Sequence, residues 1–341
     1  MAIKVLVIDD SALMRQLLTE ILSTDPEIRV VGSAADPYVA RERIKALMPD
    51  VLTLDIEMPR MDGLAFLEKL MALHPMPVVV VSTLTQKGTD AAFRALELGA
   101  IDVVSKPMLD ICVGMNELGA ELIAKVKEAA ATRPRGRQAG SAMEAPLAVD
   151  PKLSTAARIV AIGASTGGVE ALQRVLMRLP ATAPAILVTQ HMPPGFTASF
   201  ARRLDSQCSL TVHEAVDGRR VLPGHVQIAP GARHMTLERT GAHYVCRVSD
   251  GPLVSGHRPS VDVLFGSVAD AAGANAMGII LTGMGRDGAT GLLQMRRAGA
   301  RTVGQSEASC VIYGMPKVAR EVGAVEIEVP LDRIAEEIVK G

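Results

Sequence analysis

A chain of 341 residues is longer than one typical domain and suits two. Hydrophobic residues at 48%, charged residues at 21% and a net charge of −1 describe an ordinary globular protein and argue against a nucleic-acid binder built on a basic surface. Aromatics reach only 2% and Trp is absent, which argues against stacking platforms for single-stranded nucleic acid and leaves the cores to Val, Leu, Ile, Ala and Met.

The charge is unevenly spread. Residues 1–125 are acidic by about six charges and the remainder is mildly basic. The four cysteines, Cys112, Cys208, Cys246 and Cys310, form no C-x-x-C pair and read as reduced core thiols. No signal-peptide pattern precedes Ile3, and no apolar run approaches the ~18 residues of a membrane span, so a cytoplasmic protein without membrane insertion is expected.

The first 125 residues alternate strand and helix patterns. Strands are predicted at Ile3–Ile8, Arg29–Ala34, Val51–Leu54, Val78–Ser82 and Asp102–Ser105, giving a five-stranded parallel sheet covered on both faces, a flavodoxin-like α/β architecture. Asp36-Pro37 marks a helix start, with a capping carboxylate before a proline at the first helical position. Asp9, Asp10 and Asp55 fall at or just past strand ends, on the side where open α/β sheets bind ligands. Three clustered carboxylates repel one another unless a cation joins them, and oxygen ligands suit Mg²⁺. Ser82 ends the fourth strand and Lys106 follows the fifth, where a hydroxyl and an ammonium can hold phosphoryl oxygens. Acidic loop residues beside a snorkelling lysine are the plainer alternative.

The stretches V-L-V-I-D-D-S, D-I-E-M-P-R-M-D-G-L, V-V-V-V-S-T and S-K-P closely resemble the receiver domain of two-component response regulators. The resemblance implies that Asp55 accepts a phosphoryl group from a sensor histidine kinase, with Asp9, Asp10 and Asp55 at the Mg²⁺. Ser82 would be the switch hydroxyl and Lys106 the phosphate partner. The pattern departs at Val103, where many receivers carry an aromatic residue.

Residues 126–155 are assigned to a flexible linker, on the Arg-, Gly-, Ala- and Pro-rich text that starts near Thr132. Its Arg133, Arg135 and Arg137 keep such a segment solvated.

Residues 156–341 form the second predicted domain, doubly wound and mostly parallel. Ile159–Ile162 reads as a buried strand, followed by Gly163-Ala164-Ser165-Thr166-Gly167, a G-x-S-x-G match, and then an amphipathic helix. Such a turn lifts a serine clear of the sheet; equally, Ser165 suits a helix cap or a phosphate loop. Ala185–Thr189 is the next strand and runs into Gln190-His191, with a helix from Phe196 to Leu204. Turns at Asp217-Gly218 and Pro223-Gly224 within His213–Ala229, and alternation around Thr240-Gly241 within His234–Val248, predict an antiparallel ribbon. Ala276–Leu281 is a strand leading to Thr282-Gly-Met-Gly-Arg-Asp287, and further strands follow near Thr302–Gly304 and Val325–Val329.

Ser165, His191 and Asp287 each sit just past a predicted parallel strand, so they can converge on one sheet edge. A serine hydroxyl needs an imidazole to take its proton, and the imidazole needs a carboxylate to fix its tautomer. Taken singly, Asp287 could cap its helix and His191 could be a loop histidine. The order Ser…His…Asp differs from the Ser…Asp/Glu…His order of α/β-hydrolases, so the G-x-S-x-G match does not imply that fold. The remaining histidines show no H-E-x-x-H spacing, so no cofactor is expected in this domain.

G-A-S-T-G-G, Q-H-M-P, H-R-P-S-V-D and L-T-G-M-G-R-D-G closely resemble the catalytic domain of chemotaxis protein-glutamate methylesterases. The resemblance implies hydrolysis of glutamate γ-methyl esters on chemoreceptors, and deamidation of particular receptor glutamines, for sensory adaptation. It makes Ser165 the nucleophile, His191 the general base and Asp287 its orienter, with Thr166 and Met284 lining the oxyanion region. His257, Arg258 and Asp262 would frame the cleft. A monomer activated by phosphorylation, with a chemoreceptor as substrate and a histidine kinase as phosphodonor, is the expectation.

Overall fold

The computed structural model describes residues 2–58, 62–106, 115–132, 147 and 159–340. The chain divides into two compact units, Met1–Ser141 and Ala142–Gly341.

In the first unit the strands are β1 (Ile3–Ile8), β2 (Ile28–Ala34), β3 (Val51–Asp55), β4 (Val78–Ser82) and β5 (Asp102–Ser105). They alternate with α1 (Ala12–Ser23), α2 (Pro37–Leu47), α3 (Gly63–Leu73), α4 (Gln86–Glu97) and α5 (Met115–Ala130). The sheet order is β2-β1-β3-β4-β5 with parallel pairing throughout. β3 and β4 are buried along their whole length, as continuous apolar strands covered on both faces must be. The helix starts are written locally: Asp36 accepts from the N–H groups of Tyr38 and Val39, both at 2.9 Å, ahead of Pro37.

One predicted boundary moves. α5 continues to Ala130 and buries Val126 and Ala129, so residues 126–130 belong to the last helix of this unit rather than to a linker. The remaining linker residues, Arg133, Arg135 and Arg137 included, lie outside the described residues apart from Ala131, Thr132 and Leu147.

The second unit opens with β6 (Ile159–Ala164), α6 (Gly168–Met177), β7 (Ala185–Gln190) and α7 (Phe196–Gln207). β8 (Thr211–Glu214), β9 (His225–Ile228), β10 (His234–Thr240) and β11 (His243–Ser249) follow, then α8 (Val261–Ala272). β12 (Ala276–Ile280), α9 (Ala289–Arg297), β13 (Arg301–Gln305), α10 (Met315–Glu321), β14 (Ile327–Val329) and α11 (Leu331–Lys340) complete it. Seven strands form one parallel sheet, order β14-β13-β12-β6-β7-β9-β8, and β10 and β11 form a separate antiparallel pair.

β10 and β11 form the antiparallel pair, and His213–Ala229 joins it only at its middle, where Arg220 bridges antiparallel to Val245. Its two ends, β8 and β9, extend the parallel sheet, while the chain between them lies along β11. There Gly218 N–H donates to Cys246 O, Cys246 N–H to Arg219 O and Val221 N–H to Tyr244 O. The turns at Gly218 and Gly224, both at positive φ, reverse the chain twice rather than once, so no hairpin closes between them. The β10–β11 pair lays Met235, Leu237 and Cys246 on a core shared with Leu264, Phe265 and Val268 of α8. Leu237 N–H also donates to Ser267 Oγ of that helix, at 2.9 Å.

β6 lies between β12 and β7, where the chain order reverses direction across the sheet. That switch point opens a crevice past the strand ends, the usual ligand site of an open α/β sheet. No helix among the described residues is long and apolar enough to cross a membrane.

Candidate active site

The three central strands of the second unit deliver Ser165, His191 and Asp287 to one edge. The ladder runs up to them: Leu281 N–H donates to Gly163 O, Ser165 N–H to Thr282 O and His191 N–H to Ala164 O. Ser165 then sits in a tight turn into α6, whose cap residue Gly167 has φ 77°, a conformation that favours glycine. A side chain there would also bring Cβ within 2.6 Å of Val311. Gln190 fastens the turn to the His191 strand end, its amide donating to the carbonyls of Ser165 (2.9 Å) and His191 (3.0 Å). Thr282 holds it from the other side by donating to Thr166 O at 3.0 Å.

His191 is joined to Asp287 through Nε2, 2.8 Å from Oδ2, and both side chains are buried. Asp287 has further donors. Ser260 Oγ (2.8 Å) and Asp262 N–H (3.0 Å) reach Oδ1, and Val261 N–H (2.7 Å) reaches Oδ2. The carboxylate therefore sits on the open N-terminus of α8, where unpaired N–H groups and the helix dipole favour negative charge. Burial alone would raise its pKa. The hydrogen bond and charge of His191, with the α8 amides, outweigh burial and hold it below the usual carboxylate range.

An ionised carboxylate only accepts, so the proton of a neutral His191 resides on Nε2. Nδ1 then carries the lone pair, and it is buried without a hydrogen-bond partner. Against the face of His191 lies the ring of His257, stacked at 3.8 Å between centroids and 11° between planes. Arg258 Nη1 donates to Gly251 O at 2.9 Å. Asp262 ties two neighbours to α8, accepting from Gly291 N–H (2.7 Å) and Ser255 Oγ (3.2 Å). Its burial pushes its carboxyl up.

Of the two residues expected near an oxyanion, Thr166 is buried in the turn and Met284 is exposed. Gly283, beside Met284, packs on the serine so closely that a Cβ there would fall 2.7 Å from Ser165 Cβ. A peptide with no side chain is what lets this strand end approach the serine.

The first unit gathers the other set. Asp9, Asp10 and Asp55 place ligand oxygens within 4.8 Å of one another. Lys106 Nζ lies 2.7 Å from Asp55 Oδ2 and 3.1 Å from Asp9 Oδ2. Burial would lower the lysine pKa, but the two carboxylates raise it overall. Asp9 is the reverse case: burial and the nearby Asp55 raise its carboxyl, and Lys106 and the Ser11 N–H only partly offset them. Three carboxylates thus face a single ammonium, an excess of negative oxygen that fits a hard cation such as Mg²⁺. Ser82 Oγ donates to Gly88 O on α4 at 3.0 Å, and Thr83 Oγ1 to Glu57 Oε2 at 2.6 Å.

Sequence reasoning brought forward the serine, the histidine and the aspartates of both sites. It missed Gln190, Ser260 as an Asp287 donor and the contact of His257 with His191. Ser260 carried a signal, since a serine before a helix is a cap, but caps give no hint of a carboxylate arriving from another strand.

Comparisons with known proteins identify the family of each unit. The family model for the CheB methylesterase matches residues 160–338, and that for the response regulator receiver domain matches residues 5–111. A protein-glutamate methylesterase/protein-glutamine glutaminase of Pectobacterium atrosepticum is 56% identical over 99% of this chain and 96% of its own length. One from Bordetella bronchiseptica is 57% identical with the same coverage. Among solved structures, the CheB methylesterase catalytic domain of Thermotoga maritima matches with a TM-score of 0.53 and 38% identity, covering 54% of this chain and 97% of that one.

Proposed function

The chain belongs to the CheB methylesterase family, and on that premise we propose a residue-level account of its chemistry. It is a protein-glutamate methylesterase and protein-glutamine glutaminase, carrying a receiver domain that places it under phosphorylation control. We infer a receiver domain over residues 1–130 and a catalytic domain from about residue 156.

The observation that carries the account is the His191–Asp287 pair, which leaves Nδ1 of a buried imidazole as the free base beside the Ser165 turn. Ser165 Oγ attacks the γ-carbonyl of a methylated glutamate and passes its proton to His191 Nδ1. The imidazolium that forms is stabilised by Asp287 and returns the proton to departing methanol. Water then attacks the glutamyl ester of Ser165 by the same base, releasing glutamate. A glutamine side chain presents the same carbonyl, so the same steps release ammonia. The backbone around Thr166 and Met284 lines the oxyanion region, and His257, Arg258 and Asp262 frame the cleft. The substrate is the cytoplasmic part of a chemoreceptor, and no catalytic cofactor is needed.

In the receiver, Asp55 takes a phosphoryl group from a sensor histidine kinase. Asp9, Asp10 and Asp55 would hold Mg²⁺, which when bound neutralises charge on the phosphoryl oxygens. Lys106 pairs with the phosphoryl group, and Ser82 exchanges its Gly88 bond for a phosphoryl oxygen, which alters α4.

The test is methanol release from methylated receptor membranes, with and without a small phosphodonor. Ser165→Ala abolishes release while the protein keeps its circular dichroism, and wild type is labelled at Ser165 by a fluorophosphonate. Methanol release surviving in Ser165→Ala would overturn the assignment.

A further inference from the structure

His234 opens β10, far in sequence from every residue assigned above, and it is 3% exposed. Its two ring nitrogens are both engaged, one at each end of a single loop. Nε2 lies 2.8 Å from Pro252 O, and Nδ1 accepts from Ser260 N–H at 3.2 Å. A carbonyl only accepts and an amide only donates, so the ring must be neutral with its proton on Nε2. The imidazole closes residues 252–260 as a staple.

That loop serves the reaction at two points. Within it, His257 stacks on the face of His191. At its far end, Ser260 Oγ and the adjoining N–H groups of Val261 and Asp262 hold the Asp287 carboxylate. Base and orienter are therefore both aligned by the segment whose ends His234 joins. The staple itself rests on a firm base, since β10 pairs with β11 and packs on α8. Gly251 admits the ring, because a Cβ there would lie 3.2 Å from His234 Cδ2.

We propose that His234 is a positioning residue for the hydrolysis, acting through the 252–260 loop to align His191 and Asp287. The proposal rests on the Ser165–His191–Asp287 reading above. Loss of the staple leaves the receptor-binding surface in place but loosens the base, so it lowers kcat and spares KM.

The experiment uses the full-length protein. Fluorophosphonate labelling of wild type at Ser165 first establishes the serine reading; absence of labelling would defeat that reading rather than this one. His234→Phe keeps a buried ring and loses both hydrogen bonds. It is expected to lower kcat for methanol release and the labelling rate about tenfold, with KM within about twofold. His234→Gln, which keeps a donor and an acceptor, recovers part of the loss. In wild type, ring ¹⁵N shifts at neutral pH show His234 neutral with Nε2–H, a readout that needs no variant. Labelled wild type with kcat in His234→Phe unchanged, or a His234 ring that is charged or protonated on Nδ1 instead, would overturn the proposal.

Discussion

Asp55 and Asp287 both stand at the carboxyl edge of a parallel sheet, yet they are furnished in opposite ways. Asp287 is surrounded by donors: His191, Ser260 and two amides of α8 occupy its oxygens, and its pKa is held down despite burial. Asp55 has the Glu57 amide on one oxygen and the Lys106 ammonium on the other, with Asp9 and Asp10 adding negative charge nearby. A saturated carboxylate is committed to orienting its neighbour and has no lone pair to offer a reaction. A carboxylate held by one movable lysine in a field of like charge can take a phosphoryl group. The residue type is the same, and the difference lies in the donors each one meets: Asp55 closes β3, whereas Asp287 lies in the loop past β12, against the start of α8.

The largest effect comes from making the first carboxylate into an amide. Asp287→Asn keeps the shape but presents an N–H₂ to a site built of donors, so the His191 proton no longer has an acceptor fixing it to Nε2. The expected loss in kcat is on the order of 10³ to 10⁴ at neutral pH, read by methanol release. A loss under tenfold would mean that Asp287 is mainly a helix cap.

The second carboxylate fails in another manner. Asp55→Asn removes all stimulation by a phosphodonor, and chelating Mg²⁺ with EDTA does the same to wild type. Stimulation that survives either treatment would place the acceptor elsewhere.

A smaller change tests how far the saturation of Asp287 matters. Ser260→Ala removes one donor and leaves the others, so kcat falls about tenfold. Because the folded pKa of Asp287 is depressed, its charge contributes stability above the ordinary value of 3.8 that is lost as pH falls through the folded pKa. The Ser260→Ala protein, whose carboxylate is less well held, should lose its catalytic unit at a higher pH than wild type in acid titrations followed by circular dichroism. Coincident acid transitions would show that this donor is not coupled to the charge.

The contrast between the aspartates was half legible in the sequence. Strand ends are readable from runs such as Val78–Ser82, and the chemistry of the residues just beyond them is readable from their type, which brought out Ser165, His191, Asp287 and the receiver aspartates. The surroundings of each group are set by tertiary neighbours. Nothing local announces that Ser260 and Val261 donate to a carboxylate 26 or 27 residues later, nor that His234 bridges the ends of a distant loop. The same limit left His213–Ala229 half read: its glycine turns and antiparallel pairing were visible, but not that its two ends, β8 and β9, would extend the parallel sheet.

The smallest effect concerns Asp9, where function and stability oppose each other. Its carboxylate is buried beside Asp55, which raises its pKa, so holding the charge there costs the folded chain more than the unfolded one. Asp9→Asn keeps the volume and removes the charge. In Mg²⁺-free buffer the receiver transition in scanning calorimetry should therefore rise by a few degrees. Adding Mg²⁺ reverses the order, because wild type gains stability from binding the ion and the variant has lost a ligand for it. If Asp9→Asn melts below wild type without Mg²⁺, the ion pair with Lys106 outweighs burial. The trio would then be a structural charge network rather than a site kept costly for its ion.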